Sequence, residues 1–85
     1  MRFWDASAIV PLLLEQPRTE DARRLFAEDP AVVTWWGTPI ECASAVARLR
    51  REGLLGSAGE AAALQLLDDS RQTWFEVLPG DSVRV

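Results

Sequence analysis

Ala31-Val32-Val33-Thr34-Trp35-Trp36-Gly37-Thr38-Pro39-Ile40-Glu41-Cys42-Ala43-Ser44-Ala45-Val46 is the stretch whose reading decides the fold. Its first six residues are small, β-branched or aromatic and carry no charge, the composition of an interior strand. Gly37 turns the chain into Thr38-Pro39. A helix then runs from Pro39 to about Glu52 and stops at Gly53, with proline just inside its start and glycine just past its end. Its core face is Cys42, Ala45, Val46 and Leu49. A buried strand that turns directly into a helix is the building unit of a parallel α/β sheet.

Toward the amino terminus, Arg2-Phe3-Trp4-Asp5 reads as a first short strand, and Ser7 as the N-cap of a helix from Ala8 to about Gln16. That helix is apolar almost all round, which predicts burial. Thr19 begins a second helix with Ala22, Leu25 and Phe26 as its apolar stripe, ended by Asp29-Pro30. Toward the carboxyl terminus, Ser57-Ala58-Gly59-Glu60 has the spacing of a capping box and opens a fourth helix, with Ala63, Leu66, Leu67 and Ser70 inward. Trp74 to Leu78 reads as a third strand, ended by Pro79-Gly80. The order β-α-α-β-α-α-β predicts an α/β fold in three layers, with a short parallel sheet and right-handed crossovers, in one domain over residues 1–85.

Composition narrows the chemistry. The 85 residues are 48% hydrophobic and 26% charged, which predicts a folded globular chain. The net charge of −4 argues against nucleic-acid binding through a broad basic surface and leaves any such binding to local arginines. All nine basic residues are Arg and none of the 85 is His, so imidazole acid–base chemistry and His-ligated metals are excluded. The single Cys42 has no internal disulfide partner, which fits a reducing, cytoplasmic setting. The apolar run from Ala8 to Leu14 is too short for a bilayer span and is broken by Pro11, so no membrane association is expected.

Carboxylate chemistry remains, and Asp5 and Glu41 are its candidates. Asp5 ends the first strand and Glu41 lies in the first turn of the helix after the second. If those strands are neighbours, both acids open on the same carboxyl edge of the sheet, where α/β folds place their sites. Each also has a local explanation. Asp5 can cap the helix that follows, and Ser7 is either that helix's cap or a hydroxyl beside the site. Thr38-x-x-Glu41, with Pro39 following the threonine, has the form of a complete capping box. Arg48 lies two turns after Glu41 on nearly the same face, where it could meet phosphate or a protein partner. Trp35 and Trp36 are adjacent in the strand and predict packing against two helix layers, with base stacking by Trp36 the lesser reading. Trp4 and Trp74 read as core, and Cys42 as a small buried apolar residue.

Two segments together carry a family resemblance: Trp4-Asp5-Ala6-Ser7-Ala8-Ile9-Val10-Pro11-Leu12-Leu13, and Trp35-Trp36-Gly37-Thr38-Pro39-Ile40-Glu41-Cys42-Ala43-Ser44-Ala45-Val46-Ala47-Arg48-Leu49. In order and spacing the chain resembles the amino-terminal part of PIN-domain ribonucleases, in particular the VapC-like toxins of bacterial toxin–antitoxin pairs. The resemblance implies that Asp5 and Glu41 are catalytic acids holding Mg²⁺ or Mn²⁺, that Ser7 and Thr38 lie near the site, and that Arg48 contacts phosphate or antitoxin. It further implies RNA as substrate, a cognate antitoxin as partner, and self-association as a homodimer. The family adds a third acid, often a fourth, from a later helix and strand. None follows here, and Asp68, Asp69 and Asp81 read as helix-surface and turn residues. The expectation is therefore a shortened PIN-like domain with an open sheet edge, weak metal binding, and little or no cleavage by the isolated chain. Two alternatives stay open: a catalytically incomplete module that only dimerises or binds antitoxin, and a phosphotransferase with Asp5 as nucleophile. The second alternative is disfavoured by Ser7, where such enzymes place another aspartate.

Overall fold

The computed structural model describes residues 1–78, in the order β1 (Arg2–Phe3), α1 (Ala6–Leu13), α2 (Thr19–Glu28), β2 (Val32–Trp35), α3 (Thr38–Arg51), α4 (Ser57–Arg71) and β3 (Phe75–Val77). The expected turns at Pro79-Gly80 and Asp81 fall outside the described residues. The strands form one parallel sheet in the order β1-β2-β3. The stretch from Ala31 to Val46 thus supplies the central strand and the helix that follows it.

Register sorts the strand residues into two unlike faces. Arg2 pairs with Val32 and Phe3 with Val33, while Val33, Thr34 and Trp35 pair with Phe75, Glu76 and Val77. Because side chains alternate along each strand, Trp4, Val32 and Thr34 share one face, and Phe3, Val33, Trp35, Phe75 and Val77 share the other. On the first face Trp4, Val32 and Thr34 are buried, and Trp4 and Val32 join Ile9, Val10, Leu13, Ala22, Cys42, Val46, Ala63 and Leu67 in the core. The second face has no buried residue.

Three layers are therefore not formed by the described residues; there are two. The chain steps from β1 to β2 to β3 in one direction, and right-handed crossovers that step in one direction put all their helices on the same side. α1 lies at the centre of that helical layer, touching α2, α3 and α4. Its all-round apolar sequence follows from this position: Ile9, Val10, Pro11 and Leu13 are buried.

Several helix ends differ from the sequence reading. Asp5, not Ser7, caps α1, and the helix ends at Leu13 rather than near Gln16. Thr19 explains the early end. Its buried Oγ1 lies 2.7 Å from the Pro11 carbonyl and 2.9 Å from that of Leu14, and accepts the Gln16 N–H at 2.8 Å. One hydroxyl thus ties off the last turn of α1 and starts α2. The capping box at Ser57 is not formed, since Gly56 is the N-cap without a side-chain bond and Glu60 faces Arg50 at 3.8 Å instead. α3 closes as expected on Gly53, whose φ of 75° is left-handed. Leu54 N–H bonds the Leu49 carbonyl and Gly53 N–H that of Arg50, a Schellman closure that satisfies two end carbonyls.

The apolar stripes are less buried than their periodicity suggests. Leu25 and Phe26 on α2 and Leu66 on α4 are each about two-fifths exposed, whereas Ala22, Ala63 and Leu67 are buried. α2 lies at the margin of the helical layer, with α1 as its main neighbour, so only part of its stripe is covered.

Candidate metal centre at the carboxyl edge of the sheet

Asp5 leaves β1 in extended conformation and caps α1. Its Oδ1 accepts the Ala8 N–H at 3.0 Å and the Ser7 hydroxyl at 2.8 Å. The other oxygen, Oδ2, has no partner among the described residues. The Ser7 hydroxyl first and then the Ala8 N–H hold the carboxyl below its ordinary range against the opposing effect of burial, with a lesser contribution from the Arg18 guanidinium. Asp5 is thus ionised at neutral pH and remains open to solvent. The capping reading of Asp5 is what the structure shows, and the cap leaves one carboxylate oxygen spare.

Glu41 stands differently from the capping-box reading. Gly37 is the N-cap of α3, no side chain caps it, and Thr38 and Pro39 are already inside the helix. The Thr38 side chain is buried and its Oγ1 has no hydrogen-bond partner among the described residues, so it neither caps α3 nor faces solvent. Glu41 turns outward, where its Oε1 accepts the indole N–H of Trp35 at 3.0 Å. Its Oε2 has no partner among the described residues. Each acid therefore has one oxygen held by the chain and one spare.

Adjacent parallel strands β1 and β2 bring these acids to the same end of the sheet. The charges of both acids are felt at Cys42. Burial pushes that thiol up to about 11, helped by the negative charges of Glu41 and then Asp5. Cys42 is fully buried in the core, as its apolar reading anticipated. Beside Glu41 lies an open cleft of about 560 Å³, whose lining includes Ser7, Gln16, Ile40, Glu41, Ser44 and Arg48 but not Asp5. Arg48 thus shares a cleft with Glu41, and its only ionic neighbour among the described residues is Glu52, at 4.0 Å.

The tryptophans at the end of β2, Trp35 within it and Trp36 just past it, are where sequence reasoning missed most. Trp35 and Trp36 are 41% and 44% exposed rather than packed between helix layers. Trp35 lies on the bare face of the sheet, and Trp36 is past the strand end, where alternation no longer applies. Their rings meet edge to face at 5.4 Å. The bond from Trp35 to Glu41 spans the Gly37 turn, and a glycine between an aromatic residue and an acid was the available signal. Trp4 is buried and Trp74 packs against the core, as read.

Among the described residues no group of three or more His, Cys, Asp or Glu side chains is placed to hold a metal. The donor set at this edge is two carboxylates, one spare oxygen each. Such a set fits a hard, partly hydrated dication, since Mg²⁺ is commonly held by one or two carboxylates with water and phosphate completing its shell. It does not fit a fully protein-ligated ion. No helix among the described residues is long and apolar enough to cross a membrane. Neither a protein-family model nor a curated protein sequence matches the chain.

Proposed function

We propose that this chain is a weak, metal-dependent endoribonuclease domain of the VapC-like PIN class, with Asp5 and Glu41 as its acids. The observation that carries this reading is the placement of both acids at the same end of the sheet, each with one oxygen anchored and one spare. Mg²⁺ or Mn²⁺ held there would polarise a phosphoryl oxygen and lower the pKa of a bound water. The chain's own residues do the rest. Ser7 and the Ala8 N–H hold Asp5 ionised, Trp35 holds Glu41, and Arg48 offers a guanidinium to a phosphate in the shared cleft. A cytoplasmic setting, with an antitoxin as restraining partner, belongs to the same proposal.

With two acids, cleavage is expected to be slow. The test is incubation of the purified chain with single-stranded and hairpin RNA in Mn²⁺, in Mg²⁺ and in chelator. Slow scission that requires the metal and disappears in both Asp5→Asn and Glu41→Gln supports the proposal. Scission that persists in chelator or in both variants refutes it.

A second reading is favoured by a specific observation, the bare apolar face of the sheet carrying Phe3, Val33, Trp35, Phe75 and Val77. Parallel sheets are ordinarily covered on both faces. On this reading the chain is a dimerisation module whose bare face meets that of a second copy. The strand residues of that face are all uncharged, and the Glu41 carboxylate lies at its margin, bonded to Trp35. Self-association with no metal-dependent cleavage would favour this reading over the first.

A further inference from the structure

We infer that Trp35 is a positioning residue: its indole N–H fixes the Glu41 carboxylate so that the spare oxygen is presented to a divalent cation. The inference rests on the metal reading above and adds the residue that sets Glu41's geometry. Three contacts build the arrangement. Trp35 Nε1 donates to Glu41 Oε1 at 3.0 Å. Beneath the ring lies Gly37, where an added Cβ would come within 2.5 Å of Cη2, 2.6 Å of Cζ2 and 2.9 Å of Cζ3. The Trp36 ring meets the Trp35 ring edge to face at an interplanar angle of 72°.

Gly37 makes the arrangement specific. Its φ of −82° is open to any residue, so the backbone does not call for glycine there; the ring does. The turn between β2 and α3 is thereby shaped to let an indole lie flat across it and reach the acid on the far side. Glu41 needs that support because the capping box that would have anchored it to the helix backbone is absent. An exposed glutamate without a partner samples many rotamers, and a metal ligand that must first be ordered binds more weakly.

Indole is also the right chemical choice for the task. It donates one hydrogen bond and carries no charge, so it orients the carboxylate without competing with a cation for it as an arginine would. The arrangement is a hydrogen-bonding support behind a metal ligand, the kind of contact whose loss commonly lowers metal affinity by about tenfold or more.

The test follows the indole N–H resonances of the full chain during titration with Mg²⁺ and, separately, the affinity for Mn²⁺. The four tryptophans give four indole signals. That of Trp35 is identified by its loss in Trp35→Phe, which keeps an aromatic ring but has no N–H. In the wild-type chain the Trp35 signal should shift saturably with Mg²⁺, and that shift should vanish in Glu41→Gln and Asp5→Asn. Trp35→Phe and Gly37→Ala, the latter displacing the ring by collision, should each weaken Mn²⁺ by about tenfold. Unfolding midpoints close to wild type would separate this from loss of fold, and if one of the two variants does not fold, the other decides.

Unchanged Mn²⁺ affinity in Trp35→Phe or Gly37→Ala, with affinity lost in Asp5→Asn, would overturn the role of Trp35 and leave the metal site standing. So would a wild-type Trp35 signal that ignores Mg²⁺ while Mn²⁺ still binds through Asp5. No saturable binding to the wild type would overturn the metal reading, and this inference with it.

Discussion

Asp5 does two jobs that single substitutions can separate. Asparagine keeps an oxygen for the Ala8 N–H and is as good an N-cap as aspartate, whereas alanine removes the cap. Asp5→Asn is expected to leave stability within a few tenths of a kcal/mol, and Asp5→Ala to cost about 1 kcal/mol, both read by urea denaturation. Equal losses in the two variants would mean that charge, not capping, is what α1 draws from this residue. Cys42 offers a pH test at the same scale. Its folded-state pKa is raised from 9.0 to about 11, so the folded chain holds a proton that the unfolded chain gives up as pH rises through 9. The sign follows from linkage: the stabilising contribution is complete below about pH 9 and is lost as pH climbs toward 11. With no Lys and no Tyr in the chain, no other side chain titrates in that window. Thermal melts across it should show wild-type stability falling and Cys42→Ala staying flatter; parallel curves would refute the assignment.

At the scale of elements, the sequence was legible wherever a helix or strand is specified by its own residues. All seven elements and their order follow from periodicity, proline and glycine. The Schellman closure at Gly53 was marked by the glycine itself. What stayed hidden were contacts made across elements. Thr38 and Ser57 carry the letters of capping boxes, yet Gly37 and Gly56 take the cap positions, and Thr38 is drawn into the core instead. Local motif spacing does not register that pull. Thr19 is the converse case: it looks like the start of a helix, and its hydroxyl ties α1 to α2 by accepting the Gln16 N–H and sharing its one proton between the nearby Pro11 and Leu14 carbonyls. Thr19→Val, close in shape but without the hydroxyl, is expected to destabilise the chain by about 1–3 kcal/mol in chemical denaturation because it strands backbone groups. A change under about 0.5 kcal/mol would show that water replaces the hydroxyl at no cost.

For the molecule as a whole, the decisive property is the order of the strands across the sheet, which neither composition nor element order fixes. Two right-handed crossovers stepping the same way cover one face of the sheet and leave the other bare. The parallel α/β class was thus readable, while the number of layers depended on which side of β1 the next strand falls. Strands of two to four residues make the bare face small, so association through it should be reversible and weak. Sedimentation over a range of concentrations is expected to show a monomer–dimer equilibrium, shifted toward monomer by Phe3→Lys and Phe75→Lys, whose side chains are exposed at 63% and 58%. A single monomer species at high concentration would exclude it.

The candidate site was legible as two acids, and its geometry was not, because Glu41's support comes from Trp35 across a turn and not from its own helix. Whether those acids form one cation site is settled most directly by calorimetric titration of Mn²⁺ into the wild-type chain, Asp5→Asn and Glu41→Gln. One saturable site per wild-type chain is expected, weakened by about tenfold or more, roughly 1.4 kcal/mol, in each variant. Binding of equal strength in all three, or no saturable binding to the wild type, would contradict a shared site at the carboxyl edge.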